Sequence, residues 1–316
     1  MEYNTAGDRY ISEAGSKQKP LQRWLNAQVL PVQTRPVRHW QGSQVLERAE
    51  AVVMEEPFEI RLNGRNLAVI MRTPGATLET DRELAVGFLL SEGIISQPNQ
   101  VEAIVRSKDA DGLPEENVLD VKAPGVNPFN QADSKDSSKD SDEVSFERRF
   151  VVASSCGLCG KNSIVEACRR LPPLDPTQAA FRVRAETIYQ LPGRLRDAQA
   201  IFDQTGGLHA AGLFEAKGQL LLLREDIGRH NAVDKIIGRM ALDQTFPLDR
   251  KILLVSGRTS FEIVQKALAA RIPVVAAVSA PSTLALDLAE EGGITLIGFL
   301  RNRSMNVYTH PDRIEQ

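Results

Sequence analysis

Two cysteines separated by two residues are the groups in this sequence best suited to chemistry. Cys156 and Cys159 lie in the segment Ser154-Ser-Cys-Gly-Leu-Cys-Gly-Lys161, and the chain has only one other cysteine, Cys168. A thiol acts as a nucleophile only as thiolate, and the free N–H groups at a helix start, together with a nearby cation, favour the thiolate. Lys161 supplies such a cation. The spacing therefore predicts nucleophilic sulfur chemistry, with Cys156 and Cys159 as the candidate catalytic residues.

A helix is expected directly after the cysteine pair. Residues 161–171 carry Ile164, Cys168 and Leu171 at helical spacing, and Pro172-Pro173 ends the pattern. Because this face is apolar, Cys168 is predicted to pack in the core and to take no part in transfer.

Three other kinds of site also use a Cys-x-x-Cys pair. Structural zinc needs four ligands, and the chain has neither a second such pair nor two histidines at zinc-ligand spacing, so no metal site is predicted. A zinc deaminase needs a His-x-Glu or Cys-x-Glu partner, whereas His209 is followed by two alanines and His230 by Asn231-Ala232. A thioredoxin-like dithiol exchanger carries its pair after the first strand of a small domain, and it remains the alternative to a transfer thiol.

Two loops in the second half are candidate phosphate sites. Ser256-Gly-Arg-Thr-Ser260 joins a predicted strand to a helix, and Thr259-x-x-Glu262 has the pattern of a capping box. Ser279-Ala-Pro-Ser-Thr283 repeats this arrangement one unit later. Neither loop is a Walker loop or a GxGxxG motif, and capping explains each loop more simply when it is taken alone. Two adjacent helix starts facing one crevice favour an anionic ligand, with Arg258 as a candidate contact.

The segment Glu225-Asp-Ile-Gly-Arg-His-Asn231 places polar residues between an apolar strand and a helix. Asn231 is a candidate N-cap and Asp234 lies in the first turn, so part of this polarity is structural. A single histidine is more often a hydrogen-bonding residue than a catalyst, which applies equally to His209. Capping does not explain three other polar residues of the segment, Asp226, Arg229 and His230.

The secondary structure predicted around these residues differs between the N-terminal and C-terminal parts of the chain. Residues 1–40 are polar without a sustained period and predict a flexible arm. A hairpin around Asn63-Gly64 and a helix opened by the capping box Thr80-x-x-Glu83 indicate a smaller β-rich N-terminal domain over 41–145. Within that domain, the low-complexity run 131–142 predicts a disordered insertion rather than a site.

Residues 146–316 are predicted to form an α/β domain that carries the cysteine loop. A strand over 150–154 leads into the loop, and a later hairpin surrounds Lys217-Gly218. The following strands and helices alternate, which predicts a largely parallel sheet with ligands beyond the carboxyl ends of its strands. The predicted elements are helices over 231–240, 261–270 and 282–290, and strands over 252–256, 274–278 and 294–298.

Length, composition and charge exclude several classes of protein. The 316 residues fit two domains, and the net charge of −3 gives no basic field for binding nucleic acid. Three cysteines indicate a reducing compartment rather than a disulfide scaffold, which favours the cytoplasm. The N-terminus has no signal-peptide pattern and no apolar run long enough to span a bilayer, so no association with a membrane is expected.

Six segments form an ordered series along the chain. They are Met71-Arg-Thr-Pro-Gly75, Gly87-Phe-Leu-Leu-Ser-Glu-Gly93, Ser154-Ser-Cys-Gly-Leu-Cys-Gly160, Thr205-Gly-Gly-Leu-His-Ala-Ala211, Glu225-Asp-Ile-Gly-Arg-His-Asn-Ala-Val-Asp-Lys235 and Gly298-Phe-Leu-Arg301. In this order the series resembles the FdhD family of accessory sulfurtransferases for formate dehydrogenase. The resemblance covers residues 40–312, and the arm and the run 131–142 lie outside it.

The resemblance implies a specific reaction. Family members take persulfide sulfur from a cysteine desulfurase and pass it to the molybdenum or tungsten bis(molybdopterin guanine dinucleotide) cofactor of formate dehydrogenase. Cys156 matches the cysteine that carries the persulfide, and Cys159 would assist or resolve it. The family's contact with the cofactor maps onto Phe299, Leu300, Arg301, Asn302, Arg303 and Ser304. An aromatic ring can stack on guanine and arginines can bind phosphates bidentately, which suits this assignment.

Partners and fold also follow from the resemblance. It implies a cysteine desulfurase and the catalytic subunit of formate dehydrogenase as partners, a homodimer, and a cytidine deaminase-like three-layer α/β/α sheet beside a smaller β-rich N-terminal part. Two other functions remain open. A non-catalytic chaperone of the pterin dinucleotide should tolerate loss of the thiols, whereas a dithiol exchanger should need both cysteines equally.

Overall fold

The computed structural model describes residues 31–75, 77–109, 111–127, 171–174 and 181–316. Several predicted features lie outside these residues: the three cysteines, the strand over 150–154, most of the helix over 161–171, and the low-complexity run 131–142. The site is therefore built from the remaining elements.

The chain begins its described part with a hairpin where a flexible arm was predicted. β1 (Val32–Gln41) pairs antiparallel with β2 (Gln44–Val53), placing Val32 opposite Val53. The predicted arm is thus wrong over residues 32–40. Much of this hairpin is exposed, and the Trp40 residue is 69% exposed. Its sequence therefore lacks the alternation of apolar and polar residues that is typical of a half-buried strand.

A second hairpin confirms the prediction around Asn63-Gly64. It joins β3 (Glu56–Leu62) to β4 (Arg65–Arg72), and the two turn residues have φ of 52° and 84°, as a two-residue hairpin turn requires. Two further strands, β5 (Ala103–Lys108) and β6 (Pro114–Lys122), complete a four-stranded sheet in the order β4-β3-β6-β5.

Helix α1 (Leu78–Ser91) follows β4 and starts earlier than predicted. Its N-cap is Thr77, which has extended backbone and makes no side-chain cap. Thr80 lies inside the first turn, where its hydroxyl donates to the Thr77 carbonyl at 2.8 Å. The predicted capping box at Thr80 is therefore wrong, because its hydroxyl bonds backwards along the helix instead of accepting from the next turn.

The main sheet is mixed rather than largely parallel. Its order is β13-β12-β11-β10-β8-β9, and only β10–β11 and β11–β12 are parallel pairs. Hairpin partners at the two edges supply the antiparallel strands, which the alternation of strands and helices alone did not predict. The strands are β8 (His209–Glu215), β9 (Leu220–Asp226), β10 (Lys251–Val255), β11 (Val274–Ala277), β12 (Thr295–Arg301) and β13 (Ser304–Val307).

Helices cover both faces of this sheet, which confirms the α/β class. One face packs against α2 (Ala185–Asp197). The opposite face packs against α4 (Arg229–Leu242), α5 (Phe261–Ala269) and α6 (Thr283–Gly292). A likeness to cytidine deaminase remains a prediction. The remaining elements are α3 (Ala200–Thr205) and the paired short strands β7 (Val183–Arg184) and β14 (Ile314–Glu315).

The two sheets share one apolar core through the contact between α1 and α4. Buried residues of β3, α1, α4 and the main sheet belong to a single cluster. Glycines allow the close approach: a Cβ on Gly87 would lie 1.8 Å from the Asp234 carbonyl oxygen, and one on Gly238 would lie 1.8 Å from the Glu83 carbonyl oxygen. Any larger residue would push the helices apart.

Within the described part of the chain, no helix is long and apolar enough to cross a membrane.

Candidate functional site

Several strand ends meet at one edge of the main sheet. His209, at the start of β8, lies opposite Asp226 at the end of β9. Ser256 follows β10, and its backbone N–H donates to the Ala210 carbonyl while its hydroxyl accepts from the Ala210 N–H, both at 2.9 Å. The first residue of β8 and the last residues of β9 and β10 therefore lie together at one edge of the sheet.

Two loops and the end of β12 continue this edge. Between the β10–α5 and β11–α6 loops, the Thr259 N–H donates to the Ala280 carbonyl at 3.2 Å and the Ser282 N–H to the Thr259 carbonyl at 3.0 Å. The Phe299 N–H donates to the Ser279 carbonyl at 3.1 Å. The two candidate phosphate loops and Phe299 thus lie side by side at the carboxyl ends of parallel strands.

A buried hydrogen-bond network centred on Asp226 supports the crevice. One carboxylate oxygen of Asp226 accepts from the Gly228 N–H at 2.8 Å and the Asn231 amide at 2.9 Å. The other accepts from the Lys235 ammonium at 2.5 Å and the Thr73 N–H at 3.3 Å. Asp226 is fully buried, and these four donors compensate its desolvation. The network fastens the segment after β4 to the turn before α4.

Asn231 is part of this network and is not the N-cap that the sequence predicted. Helix α4 starts two residues earlier, with Gly228 as its cap. The Asn231 side chain is buried and donates to the Met71 carbonyl at 2.8 Å as well as to Asp226. The long-range acceptor at Met71 could not be identified from spacing within the segment.

Other charged residues of the same segment also have structural partners. Glu225 accepts from the N–H groups of Ile201 and Phe202, at 3.1 and 2.9 Å, and so caps α3. Asp234 accepts from the Ser91 hydroxyl at 2.6 Å and pairs with the Lys266 ammonium at 3.0 Å. These contacts hold α3, α1 and α5 in place.

Four basic side chains form a cluster at this edge, here named the cationic crevice: His209, Arg229, His230 and Arg258. A Cβ placed on Gly257 would lie 3.3 Å from His209 Nδ1 and 3.8 Å from Arg229 Cδ, so both side chains border the β10–α5 loop. Burial lowers the pKa of His209, and the charges of Arg229, His230 and Arg258 lower it further. These surroundings favour the neutral form of His209.

The two crevice histidines differ in their hydrogen bonds. His230 Nε2 lies 2.9 Å from Glu262 Oε2 and 3.1 Å from Ser260 Oγ. The hydrogen bond with His230 lowers the pKa of Glu262. Since Glu262 is used in this way, the predicted box Thr259-x-x-Glu262 is wrong: α5 is capped by Ser260 without a side-chain bond. Ser282, by contrast, caps α6 as predicted by accepting from the Ala285 N–H at 3.3 Å.

The structure divides the predicted cofactor contact Phe299–Ser304 into buried and exposed parts. Leu300 is fully buried in the core, so only its backbone is left to contact a cofactor. Phe299 is 38% exposed and lies at a β-bulge with φ of 51°. The Arg301 guanidinium carbon lies 6.0 Å from the Phe299 ring centre. This aromatic ring and its adjacent cation are accessible at the crevice edge.

The turn between β12 and β13 presents a different arrangement. Asn302 and Arg303 have φ of 50° and 57°, and Ser304 is exposed after them. Both guanidinium NH groups of Arg303 donate to Glu186 on α2, at 2.7 and 2.6 Å, which lowers the pKa of Glu186. Glu186 was missed from the sequence because it lies 117 residues away and carries no local signal.

Comparisons with known proteins agree with this architecture. The model of the FdhD/NarQ family matches residues 53–315. The sulfur carrier protein FdhD of Streptomyces coelicolor is 49% identical over 285 residues, covering 89% of this chain and 94% of the relative. The sulfur carrier protein FdhD of Saccharolobus solfataricus is 39% identical over 276 residues, covering 86% of this chain and 94% of the relative.

A solved structure has a similar fold. The crystal structure of a chain from Desulfotalea psychrophila, described as a formate dehydrogenase accessory protein, has a TM-score of 0.66 and 23% identity. The likeness covers 90% of this chain and all of the other.

Proposed function

Because the chain belongs to the FdhD/NarQ family, we propose that it is a sulfur carrier that serves formate dehydrogenase. In this proposal Cys156 accepts sulfur from a cysteine desulfurase as a persulfide. The sulfur then goes to the molybdenum or tungsten bis(molybdopterin guanine dinucleotide), which is held as cargo by a homodimer. The observation that carries the proposal is the 49% identity to a protein named as a sulfur carrier, over 89% of the chain.

Loading is a thiol exchange. The Cys156 thiolate attacks the outer sulfur of the donor persulfide, forming a new S–S bond while the donor S–S bond breaks and the donor cysteine leaves as thiolate. The persulfide proton passes with the transferred sulfur or to solvent. The rate of this step depends on the thiolate fraction, nucleophilicity and access, so it requires no separate catalytic base.

In this proposal Cys159 releases the sulfur from Cys156 in the delivery step. Its thiolate attacks the inner sulfur of the Cys156 persulfide, which forms a Cys156–Cys159 disulfide and expels the outer sulfur as hydrosulfide for the metal of the cargo. The two electrons come from the thiol pair, and an external dithiol restores both cysteines. Direct transfer from Cys156 is the alternative, in which Cys159 is dispensable.

Cargo binding is assigned to the exposed side chains at the crevice edge. Phe299 offers a ring for stacking on guanine, and Arg301 beside it offers a guanidinium for a phosphate. Both lie one strand beyond the loop that starts α6, which supports placing a nucleotide across the carboxyl ends of β11 and β12.

Two variants separate sulfur loading from cargo binding. After incubation with desulfurase and cysteine, intact mass should show an added sulfur on wild type, Cys168→Ser and Phe299→Ala, but not on Cys156→Ser. Phe299→Ala should bind guanosine diphosphate more weakly, since stacking on an aromatic ring contributes about 1–3 kcal/mol per base. Cys156→Ser should bind the nucleotide normally. Both Phe299→Ala and Cys156→Ser should leave formate dehydrogenase inactive in cells.

The remaining outcomes select other functions. Activation of formate dehydrogenase by Cys156→Ser would exclude the transferase and favour a chaperone of the pterin dinucleotide. Equal loss with Cys156→Ser and Cys159→Ser, together with reduction of a test disulfide, would favour a dithiol exchanger. Persulfide on Cys168 in Cys156→Ser would show that the wrong thiol was chosen.

A further inference from the structure

We infer that the hairpin β1–β2 joins two copies of this chain, with each hairpin lying along the other from tip to base. The inference deepens the proposed function, on which it rests for the homodimer, by naming the surface that the two copies share. The hairpin lies almost entirely outside residues 53–315, the part of the chain that matches the family model. The family match therefore does not account for it.

The hairpin is long, and its outer part is uncovered. Ten residues of β1 pair with ten of β2, which at about 3.3 Å per residue gives a length of about 33 Å. At its base a Cβ on Gly207 would lie 3.1 Å from Val53 Cγ1, so the hairpin meets the rest of the chain there. Residues 40–49, by contrast, are all exposed. A two-stranded hairpin is marginally stable by itself in water, so this outer part favours a further contact.

One face of the hairpin, here named the hairpin strip, is mostly apolar. Residues directly opposite each other in an antiparallel pair lie on the same face, as do alternate residues along a strand. The strip is formed by four opposite pairs: Thr34 with Ala51, Pro36 with Ala49, Arg38 with Glu47, and Trp40 with Val45. Trp40 is 69% exposed and Val45 is 43% exposed. An exposed apolar row of this kind is typical of a surface that binds a partner.

The charge of the strip fits an identical strip better than a charged partner. Its only charged side chains, Arg38 and Glu47, lie 3.5 Å apart and cancel. A strongly acidic or basic partner would meet no net charge of opposite sign, whereas a second copy presents the same balanced charge and no repulsion. The opposite face is more polar and carries the ion pair Arg48–Glu50 at 2.9 Å. We therefore assign the contact to the apolar face and its occupant to a second copy.

Pairing between strand edges suits this hairpin less well than contact between faces. Both strands have an open edge, since β1 and β2 form a sheet of their own. Pro36 in the middle of β1 has no N–H to donate, and β2 carries the charged residues Glu47, Arg48 and Glu50. Proline and charged side chains on an edge strand hinder pairing with another strand. The two hairpins are therefore expected to stack through their strips.

A two-fold axis across the middle of the strip gives a closed contact between identical surfaces. The axis would pass near Pro36 and Ala49, where small side chains let the two strips approach closely. Trp40 at the tip of one hairpin then reaches the base of the other, over the partner's Val32 and the partner's Val53, which are half-buried within their own chain. Each exposed tip thereby gains apolar cover.

Sedimentation velocity over a range of concentrations tests the contact. The strip is smaller than a standard protein interface, so the wild-type dimer should dissociate on dilution. Ala49→Arg places two like charges at the axis and should raise the dissociation constant of the dimer by about tenfold or more. Gln44→Arg, which adds the same charge to the exposed opposite face, is the control. A monomeric wild type, an undisturbed dimer in Ala49→Arg, or equal weakening by Gln44→Arg would overturn the inference.

A second pair of variants removes apolar side chains instead of adding charge. Trp40→Ser deletes the largest side chain of the strip and should also weaken the dimer by about tenfold or more, because buried tryptophans dominate many interfaces. Leu46→Ser is the matched control, since Leu46 is 51% exposed but lies on the opposite face. A dimer that tolerates Trp40→Ser, or that depends equally on Leu46, would contradict the assignment to the strip.

Cross-linking tests the arrangement from tip to base. In full-length protein with its three cysteines changed to serine, Ala49→Cys lies near the axis and should join two copies through a short bismaleimide. Ser43→Cys at the tip should not, because the two tips would lie about 40 Å apart. Efficient cross-linking through Ser43→Cys, or none through Ala49→Cys, would overturn the arrangement.

Failure of this inference differs from failure of the proposed function. Ala49→Arg should still acquire sulfur on Cys156 by intact mass, because residue 49 lies outside the family match. A wild type that dimerises through the strip but does not load sulfur would contradict the sulfur carrier and leave the contact intact. A dimer that survives both strip substitutions, in a protein that loads sulfur, would contradict the hairpin contact alone.

Discussion

The buried network around Asp226 and the cationic crevice beside it share one short segment, yet they differ in whether their charged side chains form ion pairs. In the network, Asp226 and Lys235 form a 2.5 Å ion pair with further hydrogen bonds from Asn231 and Thr73. At the crevice, Arg229 and Arg258 have no ion-pair partner among the described residues. The charge of Asp226 is therefore neutralised within the chain, whereas no described carboxylate forms an ion pair with Arg229 or Arg258.

Breaking the network should have the largest effect on stability. Asp226→Asn leaves the buried Lys235 ammonium without its carboxylate, which costs about 3–5 kcal/mol of the free energy of unfolding. Urea denaturation measures this loss. Asp203→Asn removes a carboxylate from a half-exposed pair with Arg196 and should cost at most about 1 kcal/mol. Similar losses in the two variants would mean that Asp226 is not the structural centre of the segment.

The helix contact beneath the network should show the next largest effect. Gly238→Ala places a Cβ 1.8 Å from the Glu83 carbonyl oxygen, so α1 and α4 must separate at a cost of about 1–3 kcal/mol. Gly193 on α2 has open space around its Cβ position, and Gly193→Ala should be neutral or stabilise by up to about 1 kcal/mol. The thermal unfolding temperature should therefore fall for Gly238→Ala and stay unchanged or rise for Gly193→Ala. A neutral Gly238→Ala would show that the interface can relax.

The smallest effect is expected at the β12–β13 turn, where an arginine does have a carboxylate partner. If Arg303 binds the cargo, Glu186 competes with the phosphate, and Glu186→Gln should tighten guanosine diphosphate by up to about fivefold, the worth of an exposed ion pair. Stability should change little, because the ion pair is exposed. Asp197→Asn, an exposed carboxylate at the end of the same helix, is the control. Unchanged affinity in Glu186→Gln would place Arg303 outside the contact.

Local signals predicted the elements that depend on neighbours in sequence. Asn63-Gly64 and Lys217-Gly218 marked their hairpins, and Ser282 marked its helix start, because turns and caps are decided within a few residues. Thr80, Asn231 and Thr259 were misassigned for the same reason. Each has the residue type of a cap, but their backbone positions and, for Asn231, a partner at Met71 assign them other roles.

The sequence by itself determined the α/β class and the family, and it predicted which cysteines carry sulfur, because periodicity, motif order and residue types can be read along the chain. The tertiary structure decided which polar residues are neutralised. Asp226 and Arg229 are three positions apart, yet packing brings Thr73, after β4, and Lys235 of α4 to Asp226, whereas Arg229 has no ion pair among the described residues. Burial and long-range contacts set those partners, and neither follows from spacing along the chain.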